Sequence, residues 1–524
     1  MAVRYRVLSD FFLRLFVVLA GVGFPHLMVA GSLPSTDEGV YAYYAQLIHS
    51  SLVSGEGLPD TGMLMLYPML LSWVFDLSVN HVIFLRLVDM IVAMVAGWLL
   101  YRVVETESRS KWGGALISLI FLFAINQPLF IQAGFKNSIF AAYIPLFLAV
   151  RLAQGVTAEK EKTWFFIGAL TALSILLRET FLPFMLVGAI TVLLSQSWKV
   201  FLRFSMGAAV SGLGIVILIL CARGGVQGLI DSYHEAGGLY AAVANQRVPL
   251  FFANGTVSAK EAMVSLCIGV VSMFSLFFIC LSGKRPNLFR RFLFWVTVAL
   301  VPLLEPFSKI GYPYHFAVCL PGLAGVSALA WQQFIMKNPS RKKMTFAIGA
   351  ACVCVVLLSY KFVSLKSFWL ATGNNLAGVG SNTWSEEAVS RSNYLLAAEA
   401  IRSISSPNST LSVSGYMFAL YPLTGLLPPS NEMSHLTGAF VNLGSDEVKF
   451  KMALCACPPD VLMTTTRADV PGSEAIQKMV EDSGLYQAVT VIPINPDRSY
   501  GNFSGTIYKK VSDKNSSCQT ELHY

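Results

Sequence analysis

Charge is what this sequence has least of. Only 13% of its 524 residues are Asp, Glu, Lys or Arg, against roughly 25% in soluble globular chains, so it lacks the polar surface to face water everywhere. Histidine is scarce as well, with 7 copies, and no His or Cys spacing matches a zinc site. Internal repeats are missing, and charges cluster at the ends of apolar blocks; both features argue against a secondary transporter. The formal net charge of +8 comes from short basic clusters between apolar blocks. With no basic stripe, nucleic acid is excluded as a partner. Six of the nine cysteines (Cys221, Cys267, Cys280, Cys319, Cys352 and Cys354) fall in or beside apolar blocks, where Cys behaves as a small hydrophobe. Cys455, Cys457 and Cys518 lie in a polar tail, where there is material for one disulfide. With a single residue between them, Cys455 and Cys457 are poorly placed to bridge each other, and whether either pairs with Cys518 stays open.

What the sequence has is apolar length. Hydrophobic residues make up 55% of the chain and the mean hydropathy is +0.59. Runs of about 20 residues read as membrane spans. They fall near Phe11–Gly31, His81–Val104, Gly113–Ala133, Asn137–Ala153, Thr163–Leu177 and Phe181–Ser195, then near Arg203–Ala222, Lys260–Leu281, Phe292–Phe307, Tyr314–Met336 and Met344–Val363. That is an all-α polytopic bundle of about 11 transmembrane helices. The pair around Arg178-Glu179-Thr180 reads as two spans with a turn, because a run of roughly 33 residues is too long for one straight crossing. The first apolar stretch is longer than the 7–15 residues of a cleaved signal, and is expected to remain as an anchor.

Basic residues set the orientation. With the N-terminus cytoplasmic, the inner segments hold Arg4, Arg6, Arg102, Arg109, Lys111, Arg151, Lys160, Lys162, Lys199 and Arg203. They also hold Lys284, Arg285, Arg290, Arg291, Lys337, Arg341, Lys342 and Lys343. Before the tail, the opposite loops hold only Lys136, Arg178, Arg223, Arg247, Lys260 and Lys309. The positive-inside bias therefore predicts an N-in topology, and an odd span count exports the tail.

Two exported segments are substantial. The loop 32–80 contains Tyr41–Ile48 and Met63–Leu77, apolar stretches too short and broken to span, which read as interface helices rich in Tyr and Trp. The expected division is a membrane module over 1–363, including that loop, and an exported domain over 364–524. Predicted elements in the tail are helices at Ser392–Ile404 and Ser473–Ser483 and strands at Thr410–Ser414, Asp460–Thr464 and Ala488–Ile494, a small α/β domain. The long exported loop from Arg223 to Ala259 carries Asp231, His234, Glu235, Tyr240 and Arg247 with no diagnostic spacing, and reads as a lid. Asn254, Asn408, Asn502 and Asn515 stand in Asn-x-Ser/Thr triplets, which matter only in a host that glycosylates them.

The sharpest local signal is Thr36-Asp37-Glu38-Gly39, directly after the first span. Adjacent carboxylates at a membrane edge must be solvated, paired or used. A helix beginning at Gly39 would let them serve as N-cap groups near its positive end, which is compatible with catalysis because a capping position pins the carboxylate. A second signal is the set of exported cations and aromatics at span ends: Arg178-Glu179, Lys136-Asn137, and Lys309 with Tyr312-Pro313-Tyr314-His315. Singly these read as snorkelling or interfacial residues; together they suit a phosphate or pyrophosphate. Arg86 and Asp89, three apart on one helix, read as a structural pair.

These residues resemble a family. The Asp37-Glu38 pair, followed by Gly39-x-Tyr41-Ala42 and interface helices, looks like the GT-C membrane glycosyltransferases, in the branch of protein O-mannosyltransferases and the lipid A aminoarabinose transferase. Tyr67-Pro68 with Trp73, Arg86-Leu87, and Ser308-Lys309 with Tyr312, Tyr314 and Pro321 are similar to further family stretches. So are Tyr421-Pro422-Leu423-Thr424-Gly425 and Pro458-Pro459-Asp460-Val461 in the tail, as in the bacterial members. The resemblance implies inverting transfer of a hexose or pentose from a polyprenyl-phosphate sugar donor to a lipid, glycan or protein acceptor on the periplasmic face of a bacterial inner membrane. Asp37 is then the expected general base, with Glu38 orienting the acceptor or helping to cap the helix. Arg178, Lys309 and Lys136, with Tyr312 and His315, are expected at the donor phosphate. A divalent metal could share that task, but the sequence offers no ligand set. Some relatives carry an acidic residue where this chain has Lys136-Asn137, so direct contact of Lys136 with the phosphate is the alternative. A polymerase or ligase of lipid-linked glycans, centred on Arg223 and Arg247, and a non-enzymatic transporter or scaffold are the competing readings.

Overall fold

The computed structural model describes residues 2–30, 36–55, 58–59, 66–131, 138–155, 162–221, 225–227, 230, 247–282, 286–308, 313–334, 384, 386–414, 417–429, 454, 456–466, 473–494 and 503–511. The chain opens with α1 (Ala2–Val18), a π-helical turn (Leu19–Gly23) and α2 (Phe24–Ala30). There follow α3 (Thr36–Ser54), α4 (Leu66–Leu71), α5 (His81–Ser108), α6 (Lys111–Ile125), α7 (Pro128–Ile131) and α8 (Ser138–Gly155). Next come α9 (Thr163–Leu177), α10 (Leu182–Ser195), α11 (Trp198–Cys221), α12 (Arg247–Glu261), α13 (Met263–Ser282) and α14 (Pro286–Leu300). After α15 (Leu304–Ser308) and α16 (Leu320–Phe334), the tail holds α17 (Glu386–Arg391), α18 (Asn393–Ile404), β1 (Leu411–Val413), α19 (Leu420–Thr424), β2 (Val461–Thr466), α20 (Ser473–Asp482), β3 (Tyr486–Ile492) and β4 (Ser504–Lys510).

The protein is therefore mostly helical with one small C-terminal sheet. Among the described residues, four helices are long and apolar enough to cross a membrane: Leu8–Leu27, His81–Ser108, Trp198–Cys221 and Met263–Leu281. Lys111–Ile125, Ile139–Gly155, Thr163–Leu177 and Leu182–Ser195 are shorter apolar helices. Several expected spans are interrupted. After α14 the chain passes through a 3-10 turn at Val301–Leu303, with Pro302 inside it, and α16 is preceded by a 3-10 stretch at Pro313–Cys319. The expected turn at Arg178 is a real break. Arg178 is extended (φ −159°, ψ 113°), Glu179–Phe181 form a 3-10 turn, and Pro183 opens α10. Proline fits there because the first helical N–H groups have no partner within the helix. The expected span Met344–Val363 lies outside the described residues.

Contacts divide the chain into two compact units, one of residues 1–30, 86–218 and 243–370, the other of 31–85, 219–242 and 371–524. In the first unit, helices close on one another at glycine. A Cβ at Gly168 of α9 would overlap the carbonyl of Phe204 on α11, and one at Gly207 would overlap Phe165. Ser211 Oγ adds a hydrogen bond to Ala169 O at 2.9 Å. Small residues of this kind let apolar helices approach closely where lipid offers no hydrophobic driving force. One end of this unit is ionic. Arg14 pairs with Glu105 at 3.2 Å, Lys111 with Asp10, and Arg291 with the nearly buried Glu107 at 2.8 Å. Gln154 Nε2 reaches the other oxygen of Glu107 at 3.1 Å. Glu105 and Glu107 on α5 thus tie together α1, α8 and α14 at the end where the sequence places its basic clusters.

In the second unit the sheet order is β1-β2-β4-β3. β1 runs parallel to β2, with Leu411 opposite Val461, while β4 is antiparallel to both β2 and β3. Successive side chains alternate across the sheet. Val461, Met463 and Ile507 face a core shared with α18, α19 and α3, whereas Leu462 and Tyr508 face a second core with Ile476 and Val480 of α20. β4 escapes sequence prediction because its buried stretch includes Gly505 and Thr506, leaving neither an apolar run nor a polar/apolar alternation to read. α3 is longer than the expected Tyr41–Ile48 and begins at Thr36.

Asn393, fully buried at the start of α18, ties the helix to the sheet. Its Nδ2 donates to Phe503 O at 2.5 Å and to Pro493 O at 3.2 Å. Asn393→Ala is expected to destabilise this unit by about 1–3 kcal/mol, the penalty for stranding buried carbonyls. A lowered thermal midpoint of the purified protein checks it.

Candidate functional site

The acidic turn comes first. α3 starts at Thr36, so Asp37 and Glu38 lie inside its first turn and not in the capping position before Gly39. Acidic groups there are favoured by the positive end of the helix dipole. Glu38 is 1% exposed. An ionisable carboxyl held that far from water is expensive unless something compensates it. The turn is fixed by the face that α3 presents to its own unit. A Cβ at Gly39 would overlap the main chain of Ala419. One turn on, the fully buried Tyr43 packs against Tyr421 with ring centroids 4.4 Å apart and planes tilted by 33°, and lies 5.3 Å from Phe418. Another turn on, Gln46 Nε2 donates to Leu426 O at 3.1 Å.

The first unit holds the described cationic candidates. Arg178 terminates α9 with its N–H bonded to Ser174 O at 3.0 Å. Its side chain is 8% exposed, and Nε donates to Thr180 Oγ1 at 2.8 Å. His315 sits in the 3-10 stretch before α16 and is 5% exposed. Both belong to the end of the unit opposite the ionic one. Phe181, beside Arg178, meets Tyr143 near the start of α8 at 5.1 Å, and the stretch bearing His315 touches α7. Lys136, Lys309 and Tyr312 lie outside the described residues.

The same end contains groups that the sequence reading did not assign. Arg86, expected to serve a structural pair with Asp89, is 1% exposed and its Nη1 donates to Ala30 O at 2.8 Å, at the last residue of α2. That bond satisfies a carbonyl left open by the helix end. His26, also in α2, is 2% exposed and bonds through Nε2 to Asn126 Oδ1 at 2.9 Å. Asn126 Nδ2 is committed to Leu122 O at 2.7 Å, so the ring nitrogen is the donor. His26 Nδ1 is buried without a partner. A π-helical turn directly precedes α2, a feature frequent at functional positions. The sequence signal was a lone Pro25-His26 inside an apolar run.

An apolar cavity of about 100 Å³ opens among α8, α9, α10 and α14, lined by Phe147, Trp164, Phe184, Phe204, Trp295 and Val298. It contains no charged group, so it offers nothing to a phosphate. Among the described residues no three His, Cys, Asp or Glu side chains gather as a metal site.

The chain is similar to crystal structures of ArnT from Cupriavidus metallidurans. The apo form gives a TM-score of 0.49 with 13% identity, over 97% of this chain and 98% of that one. The form bound to undecaprenyl phosphate gives 0.48 with 12% identity, over 96% and 97%. It is also similar to the Archaeoglobus fulgidus oligosaccharyltransferase tethered with an acceptor peptide, at a TM-score of 0.47 and 12% identity, over 96% of this chain and 74% of that one. These neighbours are GT-C glycosyltransferases. No protein-family model and no curated protein sequence matches the chain.

Asn126→Leu is expected to strand His26 with both ring nitrogens unpaired in apolar surroundings, lowering stability by about 1–3 kcal/mol. Adding His26→Phe should recover part of that loss, because removing both polar partners is nearly neutral. Thermal unfolding of the single and double variants checks the pair.

Proposed function

We propose that this protein is an integral membrane glycosyltransferase of the GT-C type. It moves a hexose or pentose from a polyprenyl-phosphate carrier to an acceptor hydroxyl on the extracytoplasmic face, with inversion. The observation that carries the reading is the acidic turn: two adjacent carboxyl residues open α3 immediately after the first apolar helix, and one of them, Glu38, is almost fully buried. Ionisable groups kept at such positions are by default functional.

In this reading the acceptor oxygen attacks the anomeric carbon as the bond from that carbon to the carrier's phosphate oxygen breaks. The acceptor proton passes to Asp37, the general base, and Glu38 orients the acceptor. The carrier leaves as a lipid phosphate whose developing charge needs preorganised cations. Arg178 and Lys309 supply them, with Lys136, Tyr312 and His315 as further phosphate contacts. The burial of Arg178 supports its share, since a guanidinium with restricted solvent makes a stronger anion contact than one in water. The membrane module comprises 1–363 with about eleven spans, its N-terminus cytoplasmic and the tail 364–524 periplasmic in a bacterial inner membrane.

The decisive experiment gives protein in lipid a series of polyprenyl-phosphate sugars, beginning with undecaprenyl carriers, the lipid held by one Cupriavidus structure. Asp37→Asn is expected to lower transfer by about 10²–10⁴-fold, the range for removing a general base, while donor binding persists; unchanged transfer rejects Asp37. Arg178→Ala and Lys309→Ala are expected to raise the donor KM, and normal donor kinetics would return both to interface anchors.

Topology has its own check. Cys457 is an exposed free thiol. In a Cys455→Ser/Cys518→Ser background it should react with a membrane-impermeant maleimide in spheroplasts without permeabilisation. Labelling only after lysis would put the tail inside.

A further inference from the structure

We infer that Gly39 is a positioning residue through which the C-terminal sheet domain holds the Asp37 turn; this rests on the reading of Asp37 as the base. Three residues of α3 at helical spacing, Gly39, Tyr43 and Gln46, form one face along the segment 418–426. Gly39 meets the Ala419 main chain, Tyr43 meets Phe418 and Tyr421, and Gln46 meets the Leu426 carbonyl. At the first of these contacts no side chain fits. An added Cβ would overlap the nitrogen, Cα and Cβ of Ala419 together, and backbone cannot swing aside as a side-chain tip can. Glycine is a poor helix former, so its place here follows from the close approach.

The surface it meets is itself anchored. α19 ends at Gly425 in the left-handed conformation (φ 79°), with its N–H bonded to Tyr421 O at 2.8 Å. Thr424 Oγ1 bonds back to Leu420 O at 2.7 Å, and Leu411 N of β1 donates to Leu427 O at 2.8 Å. The segment is thereby tied to the edge of the sheet, and α3 is tied to the segment. Gly39 stands two residues from Asp37 within one helical turn, with no hinge between them. A displacement forced at Gly39 must reach Asp37. Reaction geometry tolerates little: a 1 Å misplacement can cost about 10²-fold in rate.

The test uses the full chain in lipid, with Gly39→Ala and Gln46→Ala compared with wild type. Gln46→Ala adds no atom and lies more than two turns from Asp37. Gly39→Ala is expected to lower kcat by about 10–100-fold, and Gln46→Ala several-fold, with donor KM within about two-fold of wild type in both. A wild-type kcat in Gly39→Ala overturns the proposal. If Gly39→Ala fails to fold, Gln46→Ala decides alone: a lowered kcat with unchanged KM supports the proposal and a wild-type kcat overturns it. If wild type transfers no sugar, the glycosyltransferase reading fails separately, and hydrogen exchange then decides the contact. Faster exchange over residues 36–44 in Gln46→Ala, with 461–466 unchanged, supports the hold on the acidic turn; unchanged exchange over 36–44 overturns it.

Discussion

Close approach of main chains at glycine is the constraint on which this structure depends. In the first unit, Gly168 and Gly207 bring α9 and α11 together, and Gly322 lets α16 reach the backbone of α14 at Ala299. Gly113 and Gly325 accept the faces of Trp331 and Trp295. Helices this apolar gain contact area from fit and dispersion, and the absence of a side chain is what permits the close approach. Gly39 uses the same device in the second unit, where α3 meets the segment before Gly425. Each contact is intolerant of one methyl group, because what stands opposite is backbone or a ring locked in place.

The buried charges of the first unit are met by partners. The ionic end of the first unit places Glu107, 5% exposed, between Arg291 and Gln154, so both carboxylate oxygens are used. Removing one partner from such a group would be far more damaging than the pair is worth in isolation. At the opposite end, arginine is held by neutral oxygens as well, Arg86 by the Ala30 carbonyl and Arg178 by the Thr180 hydroxyl.

The spans near Thr163–Leu177 and Phe181–Ser195 were legible because length, a charged tripeptide and Pro183 all marked the same break. The helix Arg247–Glu261 was not. Its sequence mixes Asn254, Gly255, Thr256 and Ser258 into an amphipathic run that reads as loop, and what makes it helical is tertiary: Phe251 packs on Phe307 and Phe316 at 5.6 and 5.1 Å. Asp231, His234, Glu235 and Tyr240 of that loop lie outside the described residues. The acidic turn was legible as chemistry from adjacent carboxyls, but not as geometry. The helix begins at Thr36, and Gly39, a weak helix former, lies inside it against Ala419 of the tail. The Arg86 bond to Ala30 was invisible for a related reason, since i to i+3 spacing points to Asp89 while the carbonyl lies 56 residues away.

That dependence on distant sequence has a consequence for how the acidic turn comes to exist. The bond from Gln46 to Leu426 closes a separation of 380 residues. Tyr43 and Leu47, exposed at 0% and 4%, are covered by residues that follow almost all of the apolar helices. Contacts so distant form only after the loop-closure entropy between them has been overcome. The aromatic face of α3 is covered by Phe418 and Tyr421 of the tail, so its burial depends on those contacts. The acidic turn is thus encoded early in the chain, whereas the surface on which its helix packs, residues 418–426, is encoded late.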